Sequence, residues 1–383
     1  MSYAHLFFPE NDLALASDLS NYTPPRMARA THAAGETLPM WYGRPGDVFI
    51  CNGVNNSWFN AMSEAFALRT DVFPHRPEEY TPRPWGWSKA SRRRLIAEGF
   101  SADRLPDDAA LNQIRSLSHR RSSVIIADAI ASLMPDIYFT PPASEALNID
   151  DALEIIDIFG GDCVIKSPWS NAGRGIAFTR GFSENALAQR ISDIINAYNS
   201  VLIERSFDNI CDFAMLFEST DNGAVRFVGF SLFETDKRGA YMRNIVANDK
   251  ILNDKISKFI SQNILQRVAD KLCRILSEYI CAKYIGPLGI DMLIASTPEG
   301  NILNPCVELN LRNTMGHVAH ALAENVLAAD KTAVFACNVN PDYKSPLITD
   351  PLADAIIVGN RLAGGSFCLN PPTSPFLFTL SVS

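Results

Sequence analysis

From Val307 to Arg312 the chain alternates apolar and polar side chains, Val-Glu-Leu-Asn-Leu-Arg. A period of two is the signature of a strand, in which residues i, i+2 and i+4 line one face. Glu308, Asn310 and Arg312 therefore share a face, and Leu309 and Leu311 occupy the other. A second apolar run, GIDML at 289–293, is interrupted in the same way by Asp291, and the turn residues Pro298-Glu299-Gly300 separate the two runs. Pairing them as a hairpin brings Asp291, Glu308 and Asn310 together. Two carboxylates and an amide oxygen form a hard-oxygen set suited to Mg²⁺ bridging nucleotide phosphates. A solvated sheet face is the plainer alternative; the acid inside the neighbouring apolar run favours the metal reading.

Three further segments carry chemistry. CVIK (163–166) is a strand, SPWSNAGRG a loop and IAFT (176–179) the returning strand. Lys166 offers a positive charge, and Ser170, Gly173, Arg174 and Gly175 follow in the loop, where glycines let backbone N–H groups approach phosphate oxygens. The chain has no Gly-Lys pair, which excludes a Walker loop; a plain glycine-rich hairpin is the competing reading. VLIE (201–204) is a strand ending in Glu204, which is either solvated or an acceptor for an adenine amino group, with Asp212 near the ribose hydroxyls. Thr314 and Gly316 open a helix directly after the polar strand, where free N–H groups suit an anion. His317 and His320 stand at i and i+3 on that helix. With no third ligand in view, one facing the core and one the surface is preferred to a metal pair.

The remaining pattern mixes helices, strands and hairpins. It predicts a strand at 47–51, a helix at 58–69, and no helix through the proline-rich stretch 75–88. Ser88 caps a helix ending near Gly99, and a helix at 122–133 is stopped by Pro135. Another helix starts at Asp150 or Asp151 and ends at Gly160-Gly161. A helix at 183–198 follows, then antiparallel strands around Asp221-Asn222-Gly223. One long amphipathic helix is expected over 254–282 and another from about 316 to 329. The last fifty residues read as irregular until the apolar strand FLFTLSV. The class is mixed α/β and α+β.

A length of 383 residues suggests two or three structural units. The formal charge of −8 gives no general attraction for nucleic acid, and Arg92-Arg93-Arg94 reads as a solvated helix face. Eight scattered cysteines without a Cys-x-x-Cys motif point to free thiols in a reducing compartment. The longest apolar runs, such as 124–127 and 292–295, fall far short of the roughly 18–20 residues of a membrane span. The N-terminus lacks a basic region before a long apolar stretch, so no signal peptide is expected. A cytoplasmic protein with neither nucleic-acid nor membrane partners is anticipated.

The order strand–Lys166–glycine loop, strand–Glu204, strand–Asp291, strand–Glu308-x-Asn310 resembles the ATP-grasp superfamily over residues 118–325. The segments FFPENDLALA and PRPWGWS resemble parts of ATP-grasp-like bacterial proteins. The resemblance implies an ATP-grasp fold, two α+β subdomains sandwiching a nucleotide, behind an α/β pre-ATP-grasp domain. The units would be 1–117, 118–203, 204–330 and a C-terminal extension, 331–383, packing back on the body. It also implies ATP and Mg²⁺ as cofactors, with Mn²⁺ an alternative. Lys166 would contact phosphates, the loop 167–175 would close over them, and Glu204 with the backbone after it would hold adenine. Asp212 would hold the ribose, and Asp291, Glu308 and Asn310 the metal. Arg120 stands where the family has its first nucleotide-contacting base. Lys166 and Arg312 would offset charge on the transferring phosphoryl group, or Arg312 would bind the substrate carboxylate. Many members carry Arg two residues before the metal-binding Asp; Gly289 stands here, leaving Lys237, Arg238 or Arg243 to supply the charge. The implied activity is ADP-forming ligation of a small-molecule or peptide carboxylate to an amine through an acyl phosphate. A nucleotide sensor or subunit without turnover, or a small-molecule kinase, is the alternative.

Overall fold

The computed structural model describes residues 2–170, 175–237, 239–341 and 350–383. Three sheets organise these residues. The first is parallel, in the order Asp71–Val72, Val48–Ile50, Tyr3–Leu6, Thr81–Pro84. Its TPRP strand is an edge strand, the place in a sheet where missing N–H donors are tolerated. Helices Asn11–Ser17, Arg26–Gly35 and Asn56–Phe66 accompany it. The helix expected at 58–69 stops at Phe66 because Ala67 adopts a left-handed conformation (φ 51°).

The second sheet is antiparallel: Ser144–Ala146, Val201–Arg205, Cys163–Lys166, Ile176–Phe178. Helices Ile149–Ile158 and Glu184–Tyr198 close a small core around Ala146, Ile165, Ile191 and Ile203. Asn148, not Asp150 or Asp151, caps the first helix, its side chain accepting from the Asp151 N–H at 2.9 Å.

The third sheet has nine antiparallel strands in the order Gly300–Asn310, Gly286–Thr297, Asp208–Ser219, Val225–Thr235, Tyr241–Val246, Ala333–Val339, Phe376–Val382, Arg361–Cys368, Ala355–Val358. The long helix expected at 254–282 is two, Asp249–Ile256 and Gln262–Ile280. Ser261 breaks it by accepting the Ile264 N–H, the N-cap role that competes with continuous helix. The helix after the polar strand runs over Met315–Asn325 and ends short of 329. Helix Arg121–Leu133 shares the apolar core of this large sheet, through Ile126 and Ile130, and not that of the small sheet.

The last fifty residues are not irregular. They supply four strands, and Phe335, Phe367, Phe378 and Leu380 join the core of the N-terminal parallel sheet. The Trp41 indole N–H donates to the Leu369 carbonyl at 2.7 Å. The short strand Ala355–Val358 and the glycines of its partner conceal this hairpin from pattern reading. All eight cysteines are free. Among the described residues, no helix is long and apolar enough to cross a membrane.

Candidate active site

The strands Gly286–Thr297 and Gly300–Asn310 pair with Asp291 opposite Glu308 and Gly289 opposite Asn310. This is the juxtaposition expected from the alternation. The Asn310 amide donates to Asp291 Oδ2 at 3.1 Å and accepts from Arg312 Nη2 at 2.7 Å. Desolvation in the cleft raises the Asp291 carboxyl to about 7, and the Glu308 charge adds to the effect. Asp212 lies on the next strand, opposite Leu293, and accepts from Thr235 Oγ1 at 2.6 Å and Asn209 Nδ2 at 2.8 Å.

The antiparallel register of the small sheet sets Val164 opposite Glu204, which brings the buried Lys166 ammonium onto the Glu204 carboxylate. The two residues expected at opposite ends of a nucleotide thus form an ion pair. Asn304 of the large sheet donates to the other Glu204 oxygen at 2.9 Å, tying the two sheets together. Arg120 makes a second tie. Its Nη2 reaches Glu308 at 2.9 Å, Nη1 donates to the Ser167 carbonyl at 3.3 Å, and its backbone N–H donates to Pro168 O.

Ser170 is buried with its hydroxyl unpartnered, as is Arg120 Nε. Gly175 closes the loop at φ +79°, and a Cβ there would lie 2.9 Å from Ser167 Oγ. Gly173, Arg174 and Arg238 lie outside the described residues. Lys237 lines the cleft; Arg243 is exposed and pairs with Glu234 at 2.7 Å.

At the helix start after the polar strand, Thr314, Met315 and Gly316 line the cleft, and the Thr314 N–H is already engaged. His317 Nδ1 accepts from the Thr314 N–H at 3.1 Å and completes a capping box, and burial with nearby His320 lowers His317 to about 3. His320 lies 3.5 Å from Asp249 and is mostly shielded as well, so the expected split of one core and one surface histidine is not seen. Among the described residues no three His, Cys, Asp or Glu side chains converge as a metal group. The candidate metal set is two carboxylates and an amide.

One cleft of about 1250 Å³ collects these groups: Lys166 and Glu204 from the small sheet, Asp212, Asp291, Glu308, Asn310 and Arg312 from the large one, and Glu10 and Trp85 from the N-terminal unit.

Solved structures of similar fold include biotin carboxylase from Campylobacter jejuni in a β,γ-ATP complex, with a TM-score of 0.52 at 12% identity over 100% of this chain and 88% of that one. N5-carboxyaminoimidazole synthetase from Staphylococcus aureus complexed with ADP gives 0.50 at 11% identity over 100% of this chain and 94% of that one. The chain has the ATP-grasp fold. No protein-family model and no curated protein matches the sequence.

Three residues of this cleft are absent from the sequence reading. Asp12 holds Arg312 through both carboxylate oxygens, Asn304 holds Glu204, and Glu10 lines the N-terminal end. Asn304 sits in the same strand as Glu308, beyond an irregularity in pairing that spoils simple alternation. Nothing local marks Asp12 or Glu10, since their partners are distant in the chain or in another unit.

Proposed function

We propose that the protein is an ATP- and Mg²⁺-dependent ligase that activates a carboxylate as an acyl phosphate and joins it to an amine, releasing ADP and phosphate. The observation carrying this reading is the convergence of Lys166, Asp291, Glu308, Asn310 and Arg312 on one cleft of an ATP-grasp fold. The donor chemistry fits the metal: Asp291 and Glu308 stand opposite each other across the strand pair and, with the Asn310 amide oxygen, offer hard oxygen donors. Those three residues would hold Mg²⁺, or Mn²⁺ in its place, which supplies charge neutralisation at the phosphates.

Glu204 orients Lys166 toward the phosphate end, leaving adenine to the backbone after Glu204, and Asp212 takes the ribose. Arg120 positions Glu308 and couples it to the loop 167–170. Arg312, a planar fork held by Asp12, binds the substrate carboxylate or the charge developing on the phosphoryl group. Lys166 and Arg312 thus act as fixed positive charges at either side of the reacting centre.

The test is thermal shift with ATP and Mg²⁺, against ATP with chelator, followed by product analysis with carboxylate and amine pairs. The reading expects stabilisation requiring the metal, then ADP and free phosphate in equal amounts with the ligated product. A stable phosphorylated product without free phosphate would identify a kinase. Binding without any turnover would identify a nucleotide sensor.

A further inference from the structure

The turn after the central parallel strand Tyr3–Leu6 delivers Glu10, Asn11 and Asp12 at the carboxyl end of that sheet, where open α/β sheets present ligands. Asp12 is committed to Arg312. Its two predecessors are not so satisfied. Glu10 is only 2% exposed yet lines the cleft; its Oε1 accepts from His32 Nδ1 at 2.8 Å, and Oε2 has no partner. Asn11 is fully buried, and neither its amide oxygen nor its amide nitrogen is partnered.

The charge around them is unbalanced as well. His32 lies between Glu10 and Glu36, its Nε2 being 3.7 Å from Glu36 Oε1. Glu36 is otherwise held by Asn52, through the backbone N–H at 2.9 Å and the side-chain amide at 2.6 Å. Among the described residues, no lysine or arginine pairs with Glu10 or Glu36. Glu10 Oε2 is thus left with acceptor capacity that a donor, and best a cation, can fill. The cleft wall beside Glu10 is apolar and aromatic, through Leu13, Met27 and Trp85, and an indole face attracts a cation.

We infer that the N-terminal end of the cleft, where Glu10 stands beside Leu13, Met27 and Trp85, is the recognition site for the ammonium group of a primary-amine substrate with a partly apolar body. This inference rests on the ligase reading and names the end of the cleft that receives the amine. Glu10 takes the ammonium, with His32 holding its other carboxylate oxygen. The site adjoins Arg312: the Gly86 backbone bridges to Arg312, and a Cβ on Gly86 would lie 2.5 Å from Asn11 Nδ2 and 2.9 Å from Arg312 Cβ. Amine and carboxylate recognition are therefore neighbours, as joining the two groups requires.

The experiment is calorimetric binding of a panel of α-amino acids and simple alkylamines, each beside its N-acetyl counterpart, with a non-hydrolysable ATP analogue and Mg²⁺ present. At least one primary amine is expected to bind and its N-acetyl form not to, with Glu10→Gln weakening that amine by roughly tenfold or more. Equal binding of amine and N-acetyl forms, no binding by any amine of the panel, or unchanged affinity in Glu10→Gln would overturn the assignment. If Glu10→Gln does not fold, the wild-type comparison of each amine with its N-acetyl form decides alone. Failure of the ligase reading is recognised separately, by the absence of an ATP–Mg²⁺ thermal shift in the wild type.

Discussion

Arg312 Nε lies 2.8 and 2.9 Å from the two carboxylate oxygens of Asp12, a residue 300 positions earlier in the chain, and its Nη2 lies 2.6 Å from one of them. The pair fastens the N-terminal unit to the end of the strand that carries the candidate metal set. Asp12→Asn leaves the guanidinium short of its counter-charge in a mostly shielded place and is expected to cost about 3 kcal/mol, read from urea denaturation. Replacing both partners, Asp12→Leu with Arg312→Met, should recover much of that loss while leaving the enzyme inactive. A double variant no more stable than the single one would show that the ion pair does not carry the effect.

Glu308→Gln keeps the size of the side chain and removes one negative charge from the metal set. Turnover should fall by at least about 100-fold with the fold intact, since the charge is needed where phosphoryl transfer is stabilised. Circular dichroism with a steady-state ADP assay checks this. Wild-type turnover in the variant would make Glu308 simply the anchor of Arg120.

Gly175 stands at φ +79° with Ser167 and Ser170 crowding the place of a Cβ. Gly175→Ala is expected to destabilise by about 1 kcal/mol or more and to weaken ATP–Mg²⁺ binding, because the loop must shift to admit the methyl group. Calorimetric Kd and Tm measured together decide. Unaltered nucleotide affinity would remove the loop from the phosphate site.

His317 is neutral in the fold, with its pKa lowered from 6.5 to about 3, mainly by burial. Below pH 6.5 the unfolded chain therefore binds a proton that the folded chain refuses, so this residue costs stability as pH falls toward 3. In His317→Asn, an amide oxygen can still cap Thr314 and carries no proton. The gap in stability between wild type and variant should shift in favour of the variant by about 2 kcal/mol between pH 7.5 and 5. Urea unfolding at the two pH values measures it; a gap independent of pH would mean that His317 takes up its proton in the fold as readily as in the unfolded chain.

The juxtaposition of Asp291 with Glu308 was legible because strand pleating converts a spacing of two into a shared face, and because an acid inside GIDML has few reasons to interrupt an apolar strand. Lys166 and Glu204 were each legible as strand-end charges. Their mutual contact was not, since it depends on the register that opposes Val164 to Glu204, and register is settled between strands, not within one. The break before Gln262 was hidden because apolar spacing continues across Ser261 while only the cap marks the stop. Glu10 and Asp12 escaped notice because a short helix following a turn looks the same whether its acids face water or a distant arginine.

The core beneath the first sheet also constrains how the protein is made. Trp41 and the Leu369 carbonyl that receives its indole N–H are 328 positions apart. At about 5–20 residues per second, a ribosome needs roughly 15–65 s to supply the second after the first. During that interval Phe7 and Trp41, both fully enclosed in the finished molecule, emerge without the C-terminal aromatic rings that cover them. Nascent chains are thus exposed to chaperone capture and misassembly until the strand Phe376–Val382 emerges, and loss of that strand would uncover the core of the parallel sheet.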